Sequence, residues 1–197
     1  VALCLSGEET VEEVLSGRDG ILAGAKPGTI VLDHSTVHPE FAKRMEALCA
    51  TKDAAYLDAP VSGTGQVAWD GRLTIMVGGD TNAFERAKPS LEAVSAHAFH
   101  LGPVGSGNIA KLINNMIGDV NQIAVMEAFV LATKLGLDVA ALFEVLQTAS
   151  ASSRQMTRIA PKLLSDDPEK TSRLGGHLKG QERMRWLSEQ AGVRLPM

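Results

Sequence analysis

The stretch Gly102-Pro-Val-Gly-Ser-Gly-Asn-Ile-Ala-Lys111 constrains this chain more than any other, because a glycine-rich turn there opens onto the longest helical pattern in the sequence. From Ser106 to Leu135 apolar residues recur at helical spacing and no proline interrupts them. The turn also separates two kinds of chain. Before it, short apolar runs alternate with amphipathic stretches. Val1–Leu5, Thr29–Leu32, Ala54–Leu57, Leu73–Val77 and Ala98–Leu101 predict strands, and Glu8–Leu15, Pro39–Ala50 and Asn82–Ala96 predict helices. Such alternation builds a layered α/β sheet. Pro39 suits a first helical turn, and Pro89 is expected to kink or end its helix.

After the turn nothing reads as a strand. Gly136 is expected to close the long helix and Asp138 to cap Val139–Thr148. Ser153–Leu164 and Lys179–Gln190 are helical by period, with the polar stretch Ser165–Gly176 a loop between them. The expected fold class is therefore α/β over residues 1–101, joined through the long helix to an all-α region over residues 106–197. On that helix Ile109, Leu112, Ile113, Met116, Ile117, Val120, Ile123 and Ala124 predict a buried stripe. The stripe outruns what one small domain can cover, which predicts a homo-oligomer.

Composition narrows the function classes. The 197 residues carry a net charge of −4 and no basic run, so nothing points to a nucleic-acid partner. No uninterrupted apolar run approaches the ~18 residues of a membrane span, and no membrane partner is expected. Cys4 and Cys49 lie far apart in apolar sequence, which reads as two reduced, buried thiols of a cytoplasmic protein. The histidines His34, His38, His97, His100 and His177 show no ligand spacing, with His97 and His100 expected to straddle a helix end and a strand, so no metal is expected. The opening Val1-Ala-Leu-Cys-Leu5 reads as an excerpt from a longer chain.

Three glycine-rich segments compete for the chemistry. Gly105-Ser-Gly107-Asn-Ile-Ala110 fits G-x-G-x-x-A, but Glu127, where a ribose-binding acid belongs, lies in continuous helical pattern with no second strand to carry it. Asn108 occupies the place of a P-loop lysine, so the segment reads as a sharp turn into the helix. Lys111 and Asn115 follow four residues apart, on one helix face, where ammonium and amide can converge on one small polar group. Lys111 is either a proton-transfer group or a solvated lysine whose stem lies along apolar surface. In Asp58-Ala-Pro-Val-Ser62-Gly63-Thr64-Gly65, Pro60 breaks the nucleophile-elbow pattern. Ser62 and Gly63 offer a hydroxyl and bare N–H groups to a small carboxylate at a strand's carboxyl end, or simply form a turn. Gly78-Gly79-Asp80 reads as plain turn chemistry, and Asp33-His34-Ser35-Thr36 places hydroxyls at the rim of the sheet.

Together, Asp58-Ala-Pro-Val-Ser-Gly, Leu73-Thr-Ile-Met-Val-Gly-Gly79 and Gly105-Ser-Gly-Asn-Ile-Ala-Lys-Leu-Ile-Asn-Asn115 resemble, in order and spacing, the signatures of the β-hydroxyacid dehydrogenases. These are the 3-hydroxyisobutyrate dehydrogenase-like relatives of 6-phosphogluconate dehydrogenase. The resemblance implies a Rossmann-type domain over 1–101 and a helical substrate and dimerisation domain over 106–197, its C-terminus incomplete. It implies hydride transfer between NAD or NADP and a small 3-hydroxy acid or the matching semialdehyde. Lys111 would be the catalytic lysine and Asn115 its neighbour at the substrate. Ser62, Gly63 and Thr64 would bind the substrate's carboxylate. Leu5, Ser6, Thr36 and Lys179 would contact the cofactor. The family's glycine fingerprint precedes what looks here like its fourth strand, so about two βαβ units' worth of the pattern is absent. Ser6 stands where proline is usual, Thr64 where glycine is common and Gly180 where aspartate is usual. Without a cofactor loop, the fold could instead serve as a non-catalytic binding or assembly module.

Overall fold

The structure, a computed structural model, describes residues 1–165 and 174–195, apart from the side chains of 174–179. The chain forms two compact units, Val1–Leu112 and Ile113–Met197. In the first, β1 (Ala2–Leu3), β2 (Ile30–Asp33) and β3 (Ala55–Asp58) lie parallel in that order, with Leu32 opposite Ala2 on one side and Leu57 on the other. The chain leaves β3 through Ala59-Pro60 into β4 (Val61–Ser62), which runs antiparallel to β5 (Leu73–Val77), and β5 pairs in parallel with β6 (Ser95–His100). Asp58 and Gly78 join the two ladders, each N–H donating to the other's carbonyl at 3.1 and 2.8 Å.

Alternation along the strands sends neighbours to opposite faces. Val31 and Tyr56 point toward α1 (Glu8–Ser16) and α3 (Pro39–Ala50), where Val11, Leu15, Phe41 and Met45 close one core. Leu32 and Leu57 point the other way, with Ile75 and Val77, onto Phe84, Ala87 and Leu91 of α5 (Thr81–Glu92). Both faces are covered, as a parallel sheet requires. The long helix α6 (Ser106–Lys134) leaves this unit, followed in the second by α7 (Val139–Thr148), α8 (Arg154–Leu163) and α9 (Leu174–Gln190). There Phe129, Phe143, Met156 and Ala160 form a small core. As expected, Asp138 caps α7, accepting from Ala140 and Ala141, and Gly136 takes the left-handed conformation behind α6 at φ 77°.

Several expectations are corrected. The helix expected over Asn82–Ala96 ends at Glu92, soon after Pro89, and β6 begins at Ser95, because Ser95 is buried, pairs with Leu73 and donates its hydroxyl to the Leu91 carbonyl. His97 and His100 therefore both lie on β6, where His100 stacks on Phe84. The short elements α2 (Ile21–Gly24), β4 and α4 (Gly65–Trp69) are too brief for any period to announce them. The stripe on α6 is mostly uncovered. Leu112 is buried, but Ile109, Ile113, Ile117, Ile123 and Ala124 are exposed, with Met116 and Val120 half-buried. A 29-residue helix is about 43 Å long, and in the second unit the side chains it buries are Phe129 and Ala132 instead.

Cys4 is exposed, because β1 ends before it, whereas Cys49 is buried. Burial and nearby Glu46 push the Cys49 thiol up to about 11, so it packs as a small apolar side chain. Helix α9 starts at Leu174, inside the stretch expected to be loop, and residues 166–173 of that stretch lie outside the described residues. Gly175 and Gly176 are poor helix formers, which is why the local pattern predicts a loop there. Although polar residues interrupt α6, it is long and apolar enough on average to cross a membrane by length and composition.

Candidate functional site

Parallel strands deliver their following loops to one edge of a sheet, where α/β proteins bind ligands. The loops after β1 and β2 carry Leu5, Ser6 and Thr36, and buried polar groups hold them. At the end of β2, Asp33 is fully buried and its carboxylate accepts from Ser35 N–H at 2.9 Å and from the Tyr56 hydroxyl at 2.6 Å. Burial and the adjacent Asp33 carboxylate push the Tyr56 phenol far up, so it stays a donor. The Ser35 hydroxyl, expected at the rim, is buried and accepts from Leu5 N–H at 2.9 Å. This bond ties the Leu5–Ser6 loop to the Thr36 loop. His34 adds a ring-nitrogen contact of 2.8 Å to the Ala59 carbonyl.

At the end of β3 the same device seats α6. Asp58 is fully buried; Oδ1 accepts from Gly105 N–H at 2.8 Å, and Oδ2 accepts from the N–H and the Nδ2 of Asn108 at 2.7 and 3.1 Å. Burial pushes the Asp58 carboxyl up, while these donors pull it back toward the ionised form. A carboxylate at a helix start also meets the positive end of the helix dipole. Gly107 is required here, since a Cβ would overlap the Met76 carbonyl oxygen and stand 2.6 Å from the Asp58 carbonyl oxygen. Gly78 is more than turn chemistry for the same reason, because a Cβ would strike the Asp58 carboxylate and approach Gly107 N to 2.9 Å. Asn108 completes the joint: it is fully buried, and its Oδ1 accepts from Val37 N–H at 2.9 Å.

One turn further along α6, Lys111 is half-buried and has no hydrogen bond or ion pair among the described residues. Burial alone pushes its ammonium below the ordinary 10.5. Thr36 is half-buried beside Val37; Leu5 is half-buried and Ser6 exposed. Ser62 is half-buried on β4 opposite Thr74, and Thr64 is exposed at the start of α4. Gly63 has φ 152°, and a Cβ there would stand 2.7 Å from Leu73 Cδ2 and 2.9 Å from Val67 Cγ1. These residues belong to the first unit. The structure joins the Leu5, Thr36 and Lys111 segments through buried bonds, whereas no hydrogen bond among the described residues joins Ser62, Gly63 or Thr64 to Lys111. Asn115 is half-buried in the second unit, its Oδ1 accepting from Asn114 at 3.4 Å. Lys179 falls on α9, with its side chain outside the described residues. No three His, Cys, Asp or Glu side chains stand together as metal ligands among the described residues.

Asp33, Tyr56, Asp58 and Asn108 are the polar residues that sequence reasoning missed. A signal was present for the two aspartates, since each ends an apolar strand and an aspartate is rarely buried unless paired.

The comparisons with known proteins agree with this architecture. Residues 1–102 match the family model described as the NAD binding domain of 6-phosphogluconate dehydrogenase, and residues 105–197 match the NAD-binding domain of NADP-dependent 3-hydroxyisobutyrate dehydrogenase. The chain belongs to the β-hydroxyacid dehydrogenase family. It is 40% identical over 149 residues to an NAD-dependent L-serine dehydrogenase of Pseudomonas aeruginosa, covering 76% of this chain and 50% of that one. A probable 3-hydroxyisobutyrate dehydrogenase of Mycobacterium bovis is 43% identical over 132 residues, covering 67% of this chain and 45% of its own length. Among solved structures, the Mycobacterium tuberculosis 3-hydroxyisobutyrate dehydrogenase with L-serine superposes with a TM-score of 0.82 at 33% identity, over 100% of this chain and 69% of that one. The chain spans about half the length of these two sequence relatives.

Proposed function

We propose that the full-length protein transfers a hydride between NAD or NADP and a small 3-hydroxy acid, or its semialdehyde, with Lys111 as general acid and base. The observation that carries this reading is a half-buried lysine with no counter-charge among the described residues, one turn beyond a helix start that a buried carboxylate seats on the sheet. In this reading residues 1–101 are the dinucleotide-binding domain and residues 106–197 the helical substrate and dimerisation domain. The residues present suit one end of a dinucleotide. Leu5, Ser6 and Thr36 follow adjacent parallel strands, and the Leu5–Ser35 bond locks their loops together. They would hold the nicotinamide end, with Lys179 also assigned to the cofactor.

When bound, the nicotinamide supplies the hydride acceptor or donor. The chain's own part is proton handling and orientation. Burial favours the neutral Lys111 amine, which takes the substrate's hydroxyl proton at Nζ and returns it in the reductive direction. Asn115 orients the hydroxyl without adding a charge that would shift the amine. Ser62, the N–H of Gly63, and Thr64 hold the substrate's carboxylate. The exposed apolar residues of the second unit, Ile117, Ile123, Val130 and Leu131 among them, support a homo-oligomer formed through that domain. A cytoplasmic location, with neither nucleic acid nor membrane as partner, completes the proposal.

The test is a panel of small 3-hydroxy acids, including L-serine and 3-hydroxyisobutyrate, offered to the full-length protein with NAD and with NADP. Reduced nicotinamide should accumulate for at least one acid. Its absence for every acid with both cofactors would overturn the reading.

A further inference from the structure

The cofactor-side loop and the lysine helix are separate stretches of chain, yet one buried side chain spans them. Asn108 accepts from Val37 N–H through Oδ1 and donates from Nδ2 to Asp58 Oδ2, at 2.9 and 3.1 Å. Val37 directly follows Thr36, and Lys111 stands one helical turn beyond Asn108. Asp58 then fixes that first turn a second time, through Gly105 N–H and Asn108 N–H. The close approaches at Gly107 and Gly78 leave no room for the turn to slide across the sheet. Neither Asp58 nor Asn108 is accessible to solvent, so neither can touch a substrate.

We infer that Asn108 and Asp58 form a positioning clamp, holding the Thr36 loop and the Lys111 helix in one register so that hydride and proton leave the same substrate in step. The inference rests on the dehydrogenase reading above and adds to it two residues with no direct role in the chemistry. Hydride transfer needs reacting atoms held near attack distance, and a displacement of about 1 Å far from the chemistry can cost on the order of 100-fold in rate. Loosening the clamp should therefore lower kcat. It should leave the KM for the acid nearly alone, because among the described residues neither clamp side chain hydrogen-bonds Ser62, Gly63 or Thr64.

The experiment uses the full-length protein with an accepted hydroxy acid. Asn108→Asp keeps an acceptor for Val37 N–H but sets two carboxylates against each other. Asn108→Asp should lower kcat roughly 10- to 100-fold. The KM for the acid should change by less than about threefold, and the kinetic isotope effect from deuterium at the reacting carbon should rise as hydride transfer becomes rate-limiting. If Asn108→Asp does not fold, Asn108→Ser carries the same expectation for kcat and KM and decides alone. A kcat within twofold of the parent, or a KM for the acid that rises as much as kcat falls, would overturn the clamp. Lys111→Ala, assayed beside them, separates the two claims. An inactive Lys111→Ala with an unimpaired Asn108→Asp removes only the clamp, whereas an active Lys111→Ala removes the lysine mechanism itself.

Discussion

The first unit buries two carboxylates and the second exposes much of its apolar surface. In the first, Asp33 and Asp58 are inaccessible, and each accepts from a donor on another element, Tyr56 for Asp33 and Gly105 and Asn108 for Asp58. In the second, the described core is small while Ile117, Ile123, Val130, Leu131, Leu135 and Val145 face outward. A buried carboxylate stripped of one partner costs far more than an ordinary hydrogen bond returns, so such groups tolerate one geometry only. The first unit is thus built to hold atoms at fixed positions. An apolar face has no such directionality and accepts whatever covers it.

Four measurements would break or sharpen this contrast. The largest effect is expected at Lys111. Replacing it with alanine should lower kcat by about 10²–10⁴-fold while cofactor affinity stays close to that of the parent. Lys111→Arg should be nearly as inactive, because a guanidinium does not release its proton at working pH. An arginine variant with most of its turnover intact would make Lys111 a binding charge. Next comes the core of the first unit, where Phe41 is 1% exposed; Phe41→Ala should cost about 3–5 kcal/mol in denaturant unfolding. Leu131, 60% exposed, offers the counterpart. Leu131→Ser should shift stability by no more than about 0.5 kcal/mol, yet lower the oligomer mass seen by light scattering. Equal costs at the two positions would erase the difference between the units.

Smaller effects follow at the Ser62–Thr64 loop and in the pH dependence. Ser62→Ala should raise the KM for the acid by about tenfold with a lesser change in kcat, since binding to a carboxylate is shared by ground and transition states. An unchanged KM would remove Ser62 from the site. Lys111→Met should stabilise the protein at neutral pH by about 0.5–2 kcal/mol, a functional lysine being a stability cost. The sign follows from the lowered pKa. Below the folded-state value the unfolded chain holds the Lys111 proton more readily, so the parent is penalised. The penalty shrinks as pH rises through that value toward 10.5, and the two melting curves should converge over this window. Oxidation, which needs the free amine, should speed up over the same rise in pH.

Much of the fold was legible along the chain because period is a local property. The Leu73–Val77 strand, the Pro39–Ala50 helix and the Asp138 cap each rest on residues a few positions apart. The Lys111 segment was legible for the same reason, as a glycine turn followed by a helix. Helix α5 ends sooner than its pattern predicts because Ser95 joins a strand only when Leu73 lies beside it. The stripe on α6 predicts burial that the structure does not show, because a period identifies an apolar face but not the neighbour that covers it.

The sequence by itself determined that a sheet-forming half precedes a helical half, and that Lys111 and Asn115 ride one long helix behind a glycine turn. It did so through spacing and backbone sterics, which act within an element. Only the tertiary structure decided that Asp58 would cap that helix from 50 residues away and that Asn108 would reach Val37 across 71. It alone also decided that Ser35 would turn its hydroxyl inward to Leu5 and that Cys4 would stay in solvent while Cys49 did not. The reason is the cost of a buried polar group, which is settled by the partners it finds, and those partners come from parts of the chain that no local pattern connects.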